Sequence, residues 1–151
     1  MVNTTLSRQS CPIARGLACV GDSWSMLILR DAGRGLTRFD QFRRNLEIAP
    51  NILTGRLTSL VEGGLLEKRR YSEHPPREEY LLTDAGRDFI PILVLIGAWG
   101  RRHNGRGEVN RFIDSDTGAE VHPIAIDAAS GTPIGSRQLR TAASGFPPSQ
   151  A

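Results

Sequence analysis

Between Ala49 and Gly64 the chain interleaves leucines with asparagine, threonine and glycine, and this mixture carries its most legible chemistry. On a helix turning about 100° per residue, Ile52, Leu53, Leu57, Leu60 and Val61 form an apolar face. Asn51, Thr54, Gly55, Thr58 and Glu62 take the opposite face. An asparagine carboxamide can address adenine, threonine suits a thymine methyl or a phosphate, and glycine lets the backbone approach closely. Such a face is open to two readings: a merely solvated surface, or the side of a helix that reads a DNA groove. Arg56 lies at the edge of the apolar face, where packing and phosphate contact are both open to it.

A second basic set follows. Arg69 and Arg70 lead into Glu73-His74-Pro75-Pro76-Arg77, with Arg77 just past the prolines. Arg77 at the tip of a hairpin suits a narrow minor groove or a phosphate. Arg69 and Arg70 can do the same, or pair with Glu67, Glu78 or Glu79 across the hairpin. Of the 19 basic residues 18 are arginine, whose planar fork fits phosphates and base edges. The net charge of +3 divides into +5 over residues 1–106 and −2 over residues 107–151, so the basic part is the part that holds both features.

Other chemistries find little support. His74, His103 and His122 lie far apart in different elements, and no nucleophile–base pair or phosphate loop is visible, so no enzyme, metal site or cofactor is expected. Asp114-Ser115-Asp116-Thr117-Gly118 begins like a calcium loop, but Ala125 stands where the bidentate glutamate belongs. An Asx-type turn is the expectation there. Cys19 falls mid-helix, as a buried and inert thiol, whereas Cys11 directly precedes a helix, a position open to oxidation.

These groups need a scaffold, and the hydrophobic pattern supplies one. Helices are expected over Ile13 to Val20, over Trp24 to Ala32 with Ser23 as N-cap, over a segment carrying Phe39, Phe42 and Leu46 behind Thr37, and from Pro50 to Gly63-Gly64. Leu65 to Ser72 and Arg77 to Thr83 read as two strands. Thr83 or Asp84 then caps a long helix whose run Phe89 to Trp99 is apolar nearly all round. It is too short to span a bilayer, so a buried subunit contact is expected. Ile113 to Val121 and Ile126 to Ile134 repeat a strand residue, a glycine turn and a strand residue, as two small hairpins packed on each other.

The expected organisation is α+β. A DNA-binding and dimerisation domain covers 1–106, a small β-hairpin extension 107–135, and a flexible tail 136–151. With 39% hydrophobic and 23% charged residues, 151 residues suffice for one ordinary core. Met1 to Ser10 holds no apolar signal segment and two cysteines make no disulfide framework, so a cytoplasmic protein without membrane attachment is expected.

The ordered set Cys11-Pro12, Gly21, Trp24, Leu27-Ile28-Leu29-Arg30, Arg38-Phe39, Leu53-Thr54, Arg56-Leu57, Leu60, Gly63 to Leu65, Arg69, Tyr71, Pro75-Pro76-Arg77, Glu79-Tyr80, Leu82-Thr83, Gly86 and Trp99 resembles the HxlR-type winged helix-turn-helix regulators of bacteria. The resemblance runs from Cys11 to about Trp99. It implies a homodimer on double-stranded DNA, joined through the first and last helices, and acting as a transcriptional regulator, with repression the expected sign. DNA contact is thereby expected from Asn51, Thr54, Gly55, Arg56, Thr58, Arg69, Arg70 and Arg77. It also suggests redox sensing at Cys11, with a small-molecule effector as the other route to regulation. The chain departs from the pattern at Ser23, Ala49, His74 and Glu78. Alanine is a poor N-cap, a deficit of roughly 1 kcal/mol that a bound phosphate would offset. Extended members carry cysteine turns resembling a zinc ribbon; the corresponding turns here have no cysteine, which implies no structural zinc. The alternative reading is a ligand-binding or interaction module that works through the β extension, with DNA binding weak or lost.

Overall fold

The structure, a computed structural model, describes residues 4–143. Residues 144–151 of the expected flexible tail lie outside the described residues. In chain order the elements are α1 (Thr4–Ser7), α2 (Pro12–Val20), α3 (Ser23–Gly33), α4 (Phe39–Leu46), α5 (Pro50–Glu62), β1 (Leu66–Glu73), β2 (Pro76–Leu82) and α6 (Asp84–Asn104). The single turn α1 was not legible beforehand; it has too few residues to show a period.

Two expected caps are corrected. Asp22, not Ser23, caps α3: its backbone is extended, and its carboxylate accepts from the Ser25 amide at 3.1 Å and the Ser25 hydroxyl at 2.7 Å. Ser23 is already helical. Thr37 does not cap α4 either. The Gln41 side-chain oxygen accepts from the Thr37 and Arg38 amides at 3.0 and 2.9 Å. Thr37 and Arg38 are thus held extended, the Thr37 carbonyl accepts from the Tyr80 amide at 2.7 Å, and Arg38 bridges Glu79. The turn before α4 is stitched to the hairpin in this way.

Ten buried apolar residues form the core: Val20, Ile28, Leu29, Phe42, Ile48, Leu53, Leu57, Leu60, Leu65 and Leu66. They come from α2, α3, α4, the turns before and after α5, α5 itself and β1, with Phe89 and Leu93 of α6 packed against them. A Cβ on Gly86 would run into the Leu65 carbonyl oxygen, so glycine is what allows α6 to lie this close to the start of β1. Gly64, at φ +72°, ends α5 in the left-handed conformation that glycine adopts without strain. One charged residue is fully buried among these helices. Asp31 accepts from the Arg30 Nε at 2.9 Å and from the Asn45 amide at 2.7 Å, and so joins α3 to the end of α4.

β1 and β2 pair antiparallel from Leu66–Leu82 to Glu73–Pro76, with the register shifting between Arg70 and Ser72. That bulge falls on Tyr71. Compact packing ends at Ile96 and a second unit begins at Gly97, so the divide falls inside α6. In the second unit, Ile113 bridges Glu120 and Ile126 bridges Pro133. Each turn is held the same way: the Gly118 and Gly131 amides donate to the Asp114 and Asp127 carbonyls, both at 2.8 Å. Asp114 makes the expected Asx turn, accepting from the Thr117 and Asp116 amides. Those bonds, Thr117 first, hold its carboxyl below the usual range.

Losing Asp31 strands the Asn45 amide and leaves Arg30 without its counter-charge. Asp31→Ala is expected to destabilise the fold by roughly 2–3 kcal/mol, and Asn45→Ala by about 1 kcal/mol. Urea unfolding followed by circular dichroism measures both, and a loss under about 0.5 kcal/mol for Asp31→Ala would contradict the assignment.

Candidate nucleic-acid interface

α5 starts at Pro50 behind Ala49, which offers no side-chain cap. Its Leu53, Leu57 and Leu60 are completely buried, and that fixes the helix about its axis. Asn51, Thr54, Gly55 and Thr58 are consequently exposed together. Nothing lies within 4 Å of where a Gly55 Cβ would project, so the backbone there is open to a close approach. The Thr54 hydroxyl donates back to the Pro50 carbonyl at 2.9 Å. Ile52, expected on the apolar face, is exposed instead. It lies about 100° round the helix from Leu53, on the flank rather than the core side.

Arg56, four residues on from Ile52, lies on the same flank and closer to the buried face. Its Nε lies 3.2 Å from the Asp22 Oδ1, so the residue that caps α3 also holds the recognition helix. This is one of the two roles the sequence left open, and it points Arg56 at the protein.

In the hairpin the arginines divide. Arg69 forks onto the Glu79 Oε1 through Nε at 3.1 Å and Nη2 at 2.8 Å. Arg70 reaches Glu73 at 3.2 Å, a partner not among those expected. Lys68 pairs with Glu78 at 2.5 Å, and the hydrogen bond to Glu78 raises its pKa above 10.5. Burial similarly raises Tyr80 above 10.0. Arg77 remains exposed and shares a groove of about 460 Å³ with Arg38, Arg44, Tyr71 and Glu78. The Arg38 guanidinium lies 4.7 Å above the ring of Tyr71, the residue at the bulge. A second groove, of about 790 Å³, runs beside the start of α5 and is lined by Asp40, Arg43, Arg44, Glu47, Ile48, Ala49 and Pro50. Arg38, Arg43, Arg44 and Tyr71 were therefore missing from the sequence-derived site. The outward side of α4 did signal Arg43 and Arg44, and Arg38 just before it, but nothing local marks Tyr71 as a bulge.

The helices α3, α4 and α5 packed in sequence, an exposed polar strip on the last of them and a β-hairpin beside it make the winged helix-turn-helix arrangement. Residues 19–108 match the HxlR-like helix-turn-helix family. The chain belongs to that family. A helix-turn-helix-type transcriptional regulator of Mycobacterium tuberculosis, Rv3095, is 45% identical over 96 residues, which make up 64% of this chain and 61% of the relative. The match thus spans about three fifths of the mycobacterial protein. The crystal structure of PA1607, a candidate transcription factor, superimposes with a TM-score of 0.83 at 40% identity, covering 92% of this chain and 99% of that one. The redox regulator HypR in its oxidized form aligns with a TM-score of 0.57 at 31% identity, over 66% of this chain and all of HypR.

Cys11 is exposed at the start of α2, and Cys19 is half-buried with its thiol 3.7 Å from the Arg15 carbonyl oxygen. Among the described residues no three metal-ligating side chains come together, and no helix is long and apolar enough to cross a membrane.

If Asp22 serves both helices, Asp22→Ala loses a cap and an ion pair and should cost roughly 1–2 kcal/mol, whereas Arg56→Ala loses only the half-exposed pair and should cost less than about 1 kcal/mol. Thermal unfolding of the two variants and the double variant checks this; a costlier Arg56→Ala would contradict it.

Proposed function

We propose that the chain is a sequence-specific DNA-binding transcriptional regulator that acts in the cytoplasm as a homodimeric repressor. The observation that carries this reading is the exposed strip Asn51, Thr54, Gly55 and Thr58, on a helix whose start borders an arginine-lined groove that shares Asp40 and Arg44 with the groove of the hairpin. The strip would lie in the major groove, with Asn51 and the threonines on base edges. Arg43 and Arg44 would meet phosphate at the uncapped start of α5, and Arg77 with Arg38 would meet the neighbouring backbone. Arg69 and Arg70, both engaged by glutamates, would shape the hairpin and contribute less directly.

Dimerisation is supported by apolar surface. Ile13 and Leu17 of α2 are exposed, as are Ile92, Ile96 and Trp99, spaced three and four apart along α6. A second copy would cover such a stripe. Cys11 adjoins the exposed side of α2, so its oxidation would be felt at that contact.

Two variants separate base reading from backbone binding. On a duplex obtained by in-vitro selection, Asn51→Ala should relax preference at one base position, while Arg77→Ala should weaken all duplexes alike and reduce the salt slope by about one unit. Fluorescence anisotropy across a salt series reads both, and equal affinity of the parent protein for selected and random duplexes would overturn the reading. Ile96→Glu should convert the dimer to monomer in light scattering, and a parent protein that is already monomeric at micromolar concentration would contradict the dimer.

A further inference from the structure

The second unit, from Gly97 onward, contains a cleft of about 310 Å³ lined by Arg101, Arg102, Phe112, Glu120, His122 and Ile124 among others. Phe112 packs directly on α6 because Gly97 has no side chain: a Cβ there would lie 2.7 Å from the ring. The ring and the exposed Ile124 give the cleft an apolar side.

Its charges are unequally committed. Glu120 accepts from both Arg101 and Arg111, and the hydrogen bond from Arg101 holds its carboxyl below the usual range. Arg102 has no acidic partner among the described residues, while His122 adds to the positive field on Glu120. The cleft therefore presents apolar surface beside one uncommitted guanidinium, with an imidazole next to it. Its volume stands at the lower end of small-molecule sites, about 300 Å³ and upward.

We propose that this cleft binds a small apolar carboxylate, its aromatic or branched body against Phe112 and Ile124 and its carboxylate on Arg102. A planar guanidinium holds a carboxylate through two parallel hydrogen bonds, and an apolar surround strengthens the pairing. Glu120 does not oppose the anion, since two arginines already neutralise it. The inference concerns binding alone and stands apart from the DNA reading.

The test uses the full chain and 2-naphthoate as probe, with the neutral isostere 2-naphthamide as control. Calorimetry should give one 2-naphthoate per chain, with 2-naphthamide weaker by about tenfold or more. Arg102→Gln should erase that difference, and Ile124→Ala should weaken both probes. Both residues are exposed, so the variants should unfold at the parent's temperature. Amide shifts in a ¹⁵N-labelled sample should cluster at residues 98–102, 112 and 120–124. Equal binding of the two probes, an unchanged preference in Arg102→Gln, shifts centred elsewhere, or no binding at millimolar probe would each overturn the proposal.

Discussion

Burial of Leu53, Leu57 and Leu60 is the constraint on which the rest of the DNA-binding unit depends. Each leucine is removed from water entirely, a gain of roughly 2 kcal/mol apiece. A helix anchored along one face has no freedom to rotate, so the opposite face is chosen by the core. Asn51, Thr54, Gly55 and Thr58 point outward for that reason. Electrostatics then refines a geometry that packing has already set: the Asp22–Arg56 pair ties α5 to the start of α3, and the buried Asp31 ties α3 to α4.

The hairpin depends on a different balance. Two strands alone are marginal in water. Here a bridge from Arg38 to Glu79 and the Tyr80–Thr37 hydrogen bond attach them to the turn before α4. Cross-strand ion pairs at Arg69–Glu79 and Lys68–Glu78 fix the register further. Those acidic partners use up cations that the sequence offered to DNA, leaving Arg77 exposed near the tip with Arg38 and Arg44 in the same groove, and Arg43 at the start of α5. Basic residues are abundant in this half of the chain, but their pairing decides which remain available to a polyanion.

Elements with a strong period were legible in the sequence. The bounds of α5 and both strands, and the start of α6, fell within a residue or two of expectation, because apolar spacing and glycine or proline punctuation report on a local chain. What was missed depends on contacts distant in sequence or on a choice between near-equal neighbours. Asp22 and Ser23 are both good caps, and only the backbone conformation separates them. The partnership of Arg56 with Asp22 spans two helices and has no local signal. The bulge at Tyr71 follows from a register that only the paired strands define. Ile52 marks the edge of what a helical wheel resolves: it was counted on the apolar face, yet it stands about 100° from Leu53 and so falls on the exposed flank.

The central claim is that the exposed face of α5 sits in the major groove of duplex DNA. Tethered hydroxyl-radical cleavage tests it directly: an iron chelate attached at Thr58→Cys, in a protein whose Cys11 and Cys19 are serine, should cut a selected duplex at two positions about 10 base pairs apart or a multiple of it. The cuts on each strand should be offset as expected for a source in the major groove. Cleavage spread evenly along the duplex, or confined to the minor-groove pattern, would contradict the account.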